Sequence, residues 1–233
     1  MGKKESTPID LRYIEANTCI ASPPLCPELK LHLLKEGAPL NHAAPLWRGK
    51  PQLFAWHGPR PYWAFAWASG QALARFVLDH REVVRGKRVV DFGAGSGIGA
   101  IAAASGGATA VTAYDVDPAA IQAIQLNSRL NNVAVLTSEE NLAQRNRHDW
   151  DVLLAGDVFY HGGDPHWLID LAPQGKLILI GDPPIRGFPK EYLRELARYT
   201  ARTFPELEDP SMEEACVYAV LTRSSPQSEQ FAA

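Results

Sequence analysis

The stretch VVDFGAGSGIGA, residues 89–100, passes from β-branched residues into alternating glycines and then into small side chains. It reads as a buried strand, a sharp turn and a helix that starts at the turn. Glycine-rich turns after a first strand serve several classes of nucleotide and nucleoside ligand, so the glycines alone do not select one. Their neighbours must.

Working outward, the same alternation of patterns continues. SGQALARFVLDH (69–80) opens with Ser69 as the expected N-cap and places Leu73, Phe76 and Val77 on one helical face. RVVDF is the first strand, and GIGAIAAASGG (97–107) is a helix small enough to pack closely on a sheet. AVTAYD (110–115) is the second strand. Asp117 is expected to cap the helix PAAIQAIQLNSRLNN (118–132), which carries Pro118 in its first turn. VAVLTS (133–138), WDVLLAGD (150–157) and KLILIGD (176–182) follow as strands, the last two apolar throughout and suited to a sheet covered on both faces. PKEYLRELARY (189–199) reads as a helix. TARTFPEL (200–207) and ACVYAVLTR (215–223) complete the strands. The expected fold is α/β, a seven-stranded Rossmann-like sheet with helices on both faces over residues 69–223. Residues 1–68 form an arm rich in proline and tryptophan, with Trp47, Trp56, Trp63 and Trp67, and residues 224–233 a polar tail.

The bulk numbers narrow the classes. At 233 residues, with 46% hydrophobic and 21% charged, the chain suits one domain with a full core. A net charge of -3 gives no general attraction for nucleic acid, so a macromolecular partner is expected to be protein. Cys19, Cys26 and Cys216 form no CxxC pair, which reads as reduced thiols, with no disulfide framework and no metal site. No run is apolar enough to span a bilayer, and the first residues lack the character of a transit peptide, so the expectation is a cytoplasmic monomer away from membranes.

The cofactor follows from charge. A P-loop needs a lysine followed by serine or threonine after its last glycine, and IGAIAAA (98–104) has neither. A dinucleotide fingerprint can be laid over Gly95, Gly97 and Ala100, but Asp91 would then stand beside a pyrophosphate. S-adenosylmethionine has no phosphate, and its ammonium and sulfonium are positive. The pattern Asp91-x-Gly93-x-Gly95-x-Gly97 therefore favours it, the glycines letting the backbone turn and approach the methionine moiety. Asp115, at the end of the second strand, suits the two ribose hydroxyls. SEENL (138–142) offers Glu140 or Asn141 to the adenine, with Asn141 the expected contact.

The acid-glycine turn, the second acid and the strand count resemble the seven-β-strand methyltransferases. PYWAFAWASGQALARFVLD (61–79), GDVFY (156–160) and IEANTCIASPPLCPELKLHLLKEGAPL (14–40) are similar to the lysine methyltransferases of the electron transfer flavoprotein β subunit. The resemblance implies methyl transfer from S-adenosylmethionine to lysines flanking that subunit's recognition loop, by a bacterial member. GDPPIRGF (181–188) departs from the GDPG-type turn of the family, and His161 stands where an acid is common.

A lysine amine, with an ordinary pKa of about 10.4, is protonated at neutral pH and must be desolvated and aimed before it can accept a methyl group. Asp157 and Tyr160, at the carboxyl end of the fourth strand, are the candidates to accept from the amine and to wall it in. Their plain alternatives are a cap and a packing residue. By the resemblance Trp67 approaches the cofactor. Trp56 and Trp63 are read as packing or substrate-facing, and His57 and His161 as solvated. Other acceptors, such as a ribosomal protein or a small amine, and a cofactor-binding scaffold are the competing functions.

Overall fold

The computed structural model describes residues 11–35, 61–142, 149–157, 166–171, 176–184, 192–205 and 213–221. Its elements run α1 (Leu11–Asn17), β1 (Thr18–Ala21), β2 (Leu31–Leu34), α2 (Ala68–Asp79), β3 (Arg88–Phe92), α3 (Ile98–Ser105), β4 (Ala110–Tyr114), α4 (Pro118–Leu130) and β5 (Leu136–Ser138). Then come β6 (Val152–Gly156), α5 (His166–Leu171), β7 (Leu177–Asp182), β8 (Leu193–Ala201) and β9 (Glu213–Val220).

Seven strands form one sheet in the order β5-β4-β3-β6-β7-β9-β8. The first five are parallel, and β9 is antiparallel to both β7 and β8. The chain leaves β3 toward one edge and returns to place β6 on its other side, so the order reverses between β3 and β6. In open α/β sheets that reversal opens a crevice at the carboxyl ends of the strands.

Neighbouring residues of the central strands bury into opposite layers, which is why these strands are apolar without alternation. Val89, Leu154, Leu179 and Val217 join α2 and α3 in one layer. Val90, Leu153, Ile178, Ile180 and Tyr218 lie in the other. Ala100, Ala102 and Ala103 of α3 are fully buried, so the helix lies close to the sheet.

Several expectations shift. The described part of the helix expected at 189–199 is a strand instead: from Leu193 the chain is β8, which runs to Ala201 and overlaps the strand expected at 200–207 only at Thr200 and Ala201. The segment is rich in helix formers, but pairing along β9 overrides a weak intrinsic preference. A register shift between Glu195 and Ala197 inserts one residue, which breaks the strand alternation and leaves Leu193, Leu196 and Ala197 at a spacing that imitates a helix. VAVLTS pairs only over its last three residues, Leu136–Ser138. Ser69 does not cap α2; Trp67 occupies that position and Ser69 lies inside the first turn, buried.

The arm holds regular structure among its described residues. β1 and β2 pair antiparallel, Thr18 opposite Leu34 and Ala21 opposite Leu31. Leu29, Leu31 and Leu33 enter the same core as α2 and α3. Trp63 is fully buried against Ala119, Ala120 and Ala123 of α4, a packing residue. All three cysteines are free, and burial pushes the Cys26 thiol up to about 12. Among the described residues no helix is long and apolar enough to cross a membrane.

Candidate active site

Two strand ends flank the crevice. β3 ends in Asp91-Phe92 and passes into the glycine turn, where Gly93, Gly95 and Gly97 have φ of 63°, 52° and 79°. All three need the left-handed region, which an L side chain resists. The spare use for Gly95 is space as well, since a Cβ there would meet nothing nearer than the Tyr62 carbonyl oxygen at 3.9 Å.

Asp91 is buried, and its Oδ2 accepts from the Ala100 amide at 2.7 Å, in the first turn of α3. Burial pushes its carboxyl up to about 7; the Ala100 bond opposes this and the nearby Asp115 adds to it. α3 comes so close only because residue 99 is glycine: a Cβ there would lie 2.9 Å from Asp91 Oδ2. Gly99 was not singled out from the sequence, although it continues the alternating series of Gly93, Gly95 and Gly97.

Asp115 follows β4. Its Oδ2 accepts from Gly95 N at 2.8 Å and its Oδ1 from Asp117 N at 2.9 Å, so it braces the turn. Burial raises its pKa, against the pull of those amides. The Val116 amide also bonds this carboxylate, which still has lone-pair capacity for a hydroxyl donor. Asp117 accepts from Ala119 N at 2.9 Å and caps α4 as its position predicted.

On the far side of the crevice, Asp157 follows β6 with φ of 54°, an uncommon backbone for a non-glycine residue. Its amide donates to Gly181 O at 2.8 Å, and its Oδ2 accepts from Gly70 N at 3.1 Å, the third residue of α2. The approach of α2 again depends on missing side chains. A Cβ on Gly181 would lie 2.5 Å from Ser69 O, and one on Gly156 would lie 3.3 Å from the Gly70 Cα. Asp157 is thus a helix cap, and the cap holds its carboxylate at the carboxyl end of β6.

Trp67 is half-buried just before α2; its indole N–H donates to Tyr62 O at 2.9 Å, and its ring lies 5.4 Å from that of Phe65. Tyr62 O is also the atom nearest the open side of Gly95, which links Trp67 to the glycine turn. Asn141 and Glu140 are exposed beyond β5, next to β4 and Asp115. Tyr160, Trp47, Trp56, His57 and His161 lie outside the described residues.

The donor set fits S-adenosylmethionine. The glycine turn carries no lysine or arginine for a phosphate, and Asp91, buried and held by one amide among the described residues, is a carboxylate whose charge a cation would stabilise.

Residues 71–156 match the family model described as ribosomal protein L11 methyltransferase (PrmA). The chain is 38% identical over 217 residues to the electron transfer flavoprotein beta subunit lysine methyltransferase of Xenopus laevis, covering 89% of this chain and 85% of the relative. It is 39% identical to the homolog in Caenorhabditis elegans, covering 85% and 87%. The chain belongs to this family. It is an S-adenosylmethionine-dependent methyltransferase. Among solved structures, the T. thermophilus 16S rRNA N2 G1207 methyltransferase in complex with AdoMet and guanosine superposes with a TM-score of 0.55 at 16% identity, over 88% of this chain and 50% of that one. At that identity the likeness is one of fold.

Proposed function

We propose that the chain methylates lysine side chains of the electron transfer flavoprotein β subunit, near that subunit's recognition loop. The observation that carries this reading is similarity along most of both chains to relatives named for that substrate, arm included. In this reading residues 69–223 are the methyltransferase domain, residues 1–68 the arm packed on it and 224–233 a tail; the protein is a cytoplasmic monomer.

S-adenosylmethionine supplies an electrophilic methyl group on a positive sulfur. Asp91 faces the positive groups of the cofactor; Gly93, Gly95 and Gly97 admit its methionine moiety; Asp115 takes the ribose; Asn141 meets the adenine and Trp67 closes the pocket near Tyr62. Asp157 accepts a hydrogen bond from the substrate ε-amine and points its lone pair across the crevice, with Tyr160 as the wall. The Gly70 amide holds the Asp157 carboxylate in one orientation, and orientation is a large part of what a site can give an in-line transfer. Desolvation beside a sulfonium lowers the amine's pKa, and water takes the proton.

The L11 match gives a second acceptor a specific basis, but it ends at Gly156, one residue before Asp157, and so spans cofactor-binding elements. Intact mass of purified flavoprotein β subunit, incubated with this enzyme and S-adenosylmethionine, decides between them. Additions of one or more methyl masses on that subunit, mapped to lysine, are expected. An unchanged mass alongside methylated ribosomal protein L11 would replace the acceptor.

A further inference from the structure

We propose that Asn127 is a positioning residue that fastens the cofactor turn to the N-terminal arm. Asn127 sits on α4 with no exposed surface. Its Nδ2 donates to Ser96 O at 2.8 Å, inside the glycine turn. Its Oδ1 accepts from His32 N at 2.7 Å, on β2. One amide therefore holds both partners, 31 and 95 residues away in sequence.

The bond acts where the turn is least able to hold itself. Ser96 lies between Gly95 and Gly97, both left-handed, so its carbonyl direction sets the peptide plane leading into α3. Asp115 braces the turn through Gly95 N, and Asn127 braces the next residue from the opposite side. Ile124, one turn earlier on α4, fills the space against Gly97, where a Cβ would lie 3.1 Å from its Cγ1. On the arm side, Asn131 repeats the grip: it accepts from Lys30 N at 2.9 Å and donates to Lys30 O at 2.6 Å. The Asn127 amide donates to a carbonyl and accepts from an N–H at once; aspartate loses the first bond and leucine both.

A ligand that orders Ser96 orders the Asn127 side chain, which in turn makes the His32 bond harder to open. Linkage requires the converse: a firmly docked β2 favours cofactor binding by the same factor. The cofactor site and the arm, which the sequence presents as separate, are in this way one thermodynamic unit.

Amide hydrogen exchange on the full chain tests this, with and without saturating S-adenosylhomocysteine. Exchange of the 29–35 segment, His32 above all, is expected to slow roughly tenfold on saturation. Unchanged exchange, with binding established by calorimetry, would overturn the proposal; absence of any binding would instead strike the cofactor assignment on which it rests. Asn127→Asp keeps the acceptor for His32 and loses the donor to Ser96, so it is expected to weaken the homocysteine ligand about tenfold and to erase the protection. Lower stability with unchanged affinity and protection would make Asn127 merely structural. Asn131→Ala frees Lys30 and leaves Ser96 held, so baseline exchange rises near Lys30 while ligand affinity stays within about twofold. If Asn127→Asp does not fold, the exchange measurement on the unaltered chain still decides.

Discussion

Asp91 and Asp157 stand on adjacent strands on either side of the crevice and use one device. Each accepts an amide from the third residue of a helix, Ala100 in α3 at 2.7 Å and Gly70 in α2 at 3.1 Å. Each helix reaches its carboxylate only because glycine clears the way, Gly99 for α3 and Gly156 with Gly181 for α2. They differ in reach and in burial. Asp91 caps a helix 9 residues away and is sealed from water, whereas Asp157 caps one 87 residues away and is half-buried. A buried carboxylate near neutrality suits a bound cation; a half-buried one with a fixed direction suits a substrate that comes and goes.

The comparison breaks if Asp157 is a cap and nothing more. Asp157→Asn still accepts from Gly70 and tolerates the left-handed backbone, so melting should barely move while kcat falls about a thousandfold. Cofactor affinity, by calorimetry, should stay put. Asp157→Ala should lose as much turnover and some stability besides. Full turnover in the asparagine variant would reduce Asp157 to a structural cap and leave the shared device without a shared purpose.

The two glycine seats should fail differently. Gly181→Ala drives a Cβ into the Ser69 carbonyl and Leu73, and should cost about 1–3 kcal/mol in thermal or denaturant unfolding and lower kcat through Asp157. Gly99→Ala presses on the Asp91 carboxylate and should cost no more than that in stability while weakening S-adenosylmethionine. Equal losses of affinity in both variants would erase the division of labour.

The burial of Asp91 sets a pH dependence. Its folded pKa of about 7 lies above the ordinary 3.8, so the empty folded chain binds more protons than the unfolded one between those values. Stability from this group is present below the ordinary pKa and is lost as pH rises through about 7. Cofactor affinity moves the opposite way, because the sulfonium favours the ionised form. Titrations from about pH 6 to pH 7.5 should show S-adenosylmethionine tightening roughly eightfold. Asp91→Asn should flatten that slope, and a slope that survives it would assign the titration elsewhere.

How much was legible in the sequence follows the same division between near and far. The parallel strands could be read because burial on both faces leaves uninterrupted apolar runs. The glycine turn and the Asp117 cap could be read because their signals are local, the cap's partner Ala119 N lying two residues off; that Asp115 also braces Gly95, 20 residues away, could not. Gly99 stood in plain view as the fourth member of its series, but its reason, the Asp91 carboxylate behind it, is a packing fact. β8 was misread because a bulge imitates helical spacing. Gly70 on Asp157, and Asn127 between Ser96 and His32, could not be read, since a polar residue in a helix pattern looks like a solvent-facing position until the distant partner is placed.

Ser69 gives the smallest effect and one whose sign separates the two readings of α2. If serine were the cap, as its place before an apolar periodic run suggests, alanine would remove a bond to the helix amides and cost about 1 kcal/mol. In the structure Asp157 takes the Gly70 amide, and the Ser69 hydroxyl is fully buried with no hydrogen-bond partner among the described residues. An unpaired buried hydroxyl has lost its water without replacement, and alanine is the better helix former. Ser69→Ala should therefore leave stability unchanged or raise it by about 0.5–1 kcal/mol, read as a small upward shift in the melting temperature. The substitution leaves the backbone N–H of Gly70 in place, so turnover reports whether Asp157 has stayed where α2 holds it. A drop in melting temperature would return the cap to Ser69 and loosen the claim that α2 is anchored from the opposite strand end.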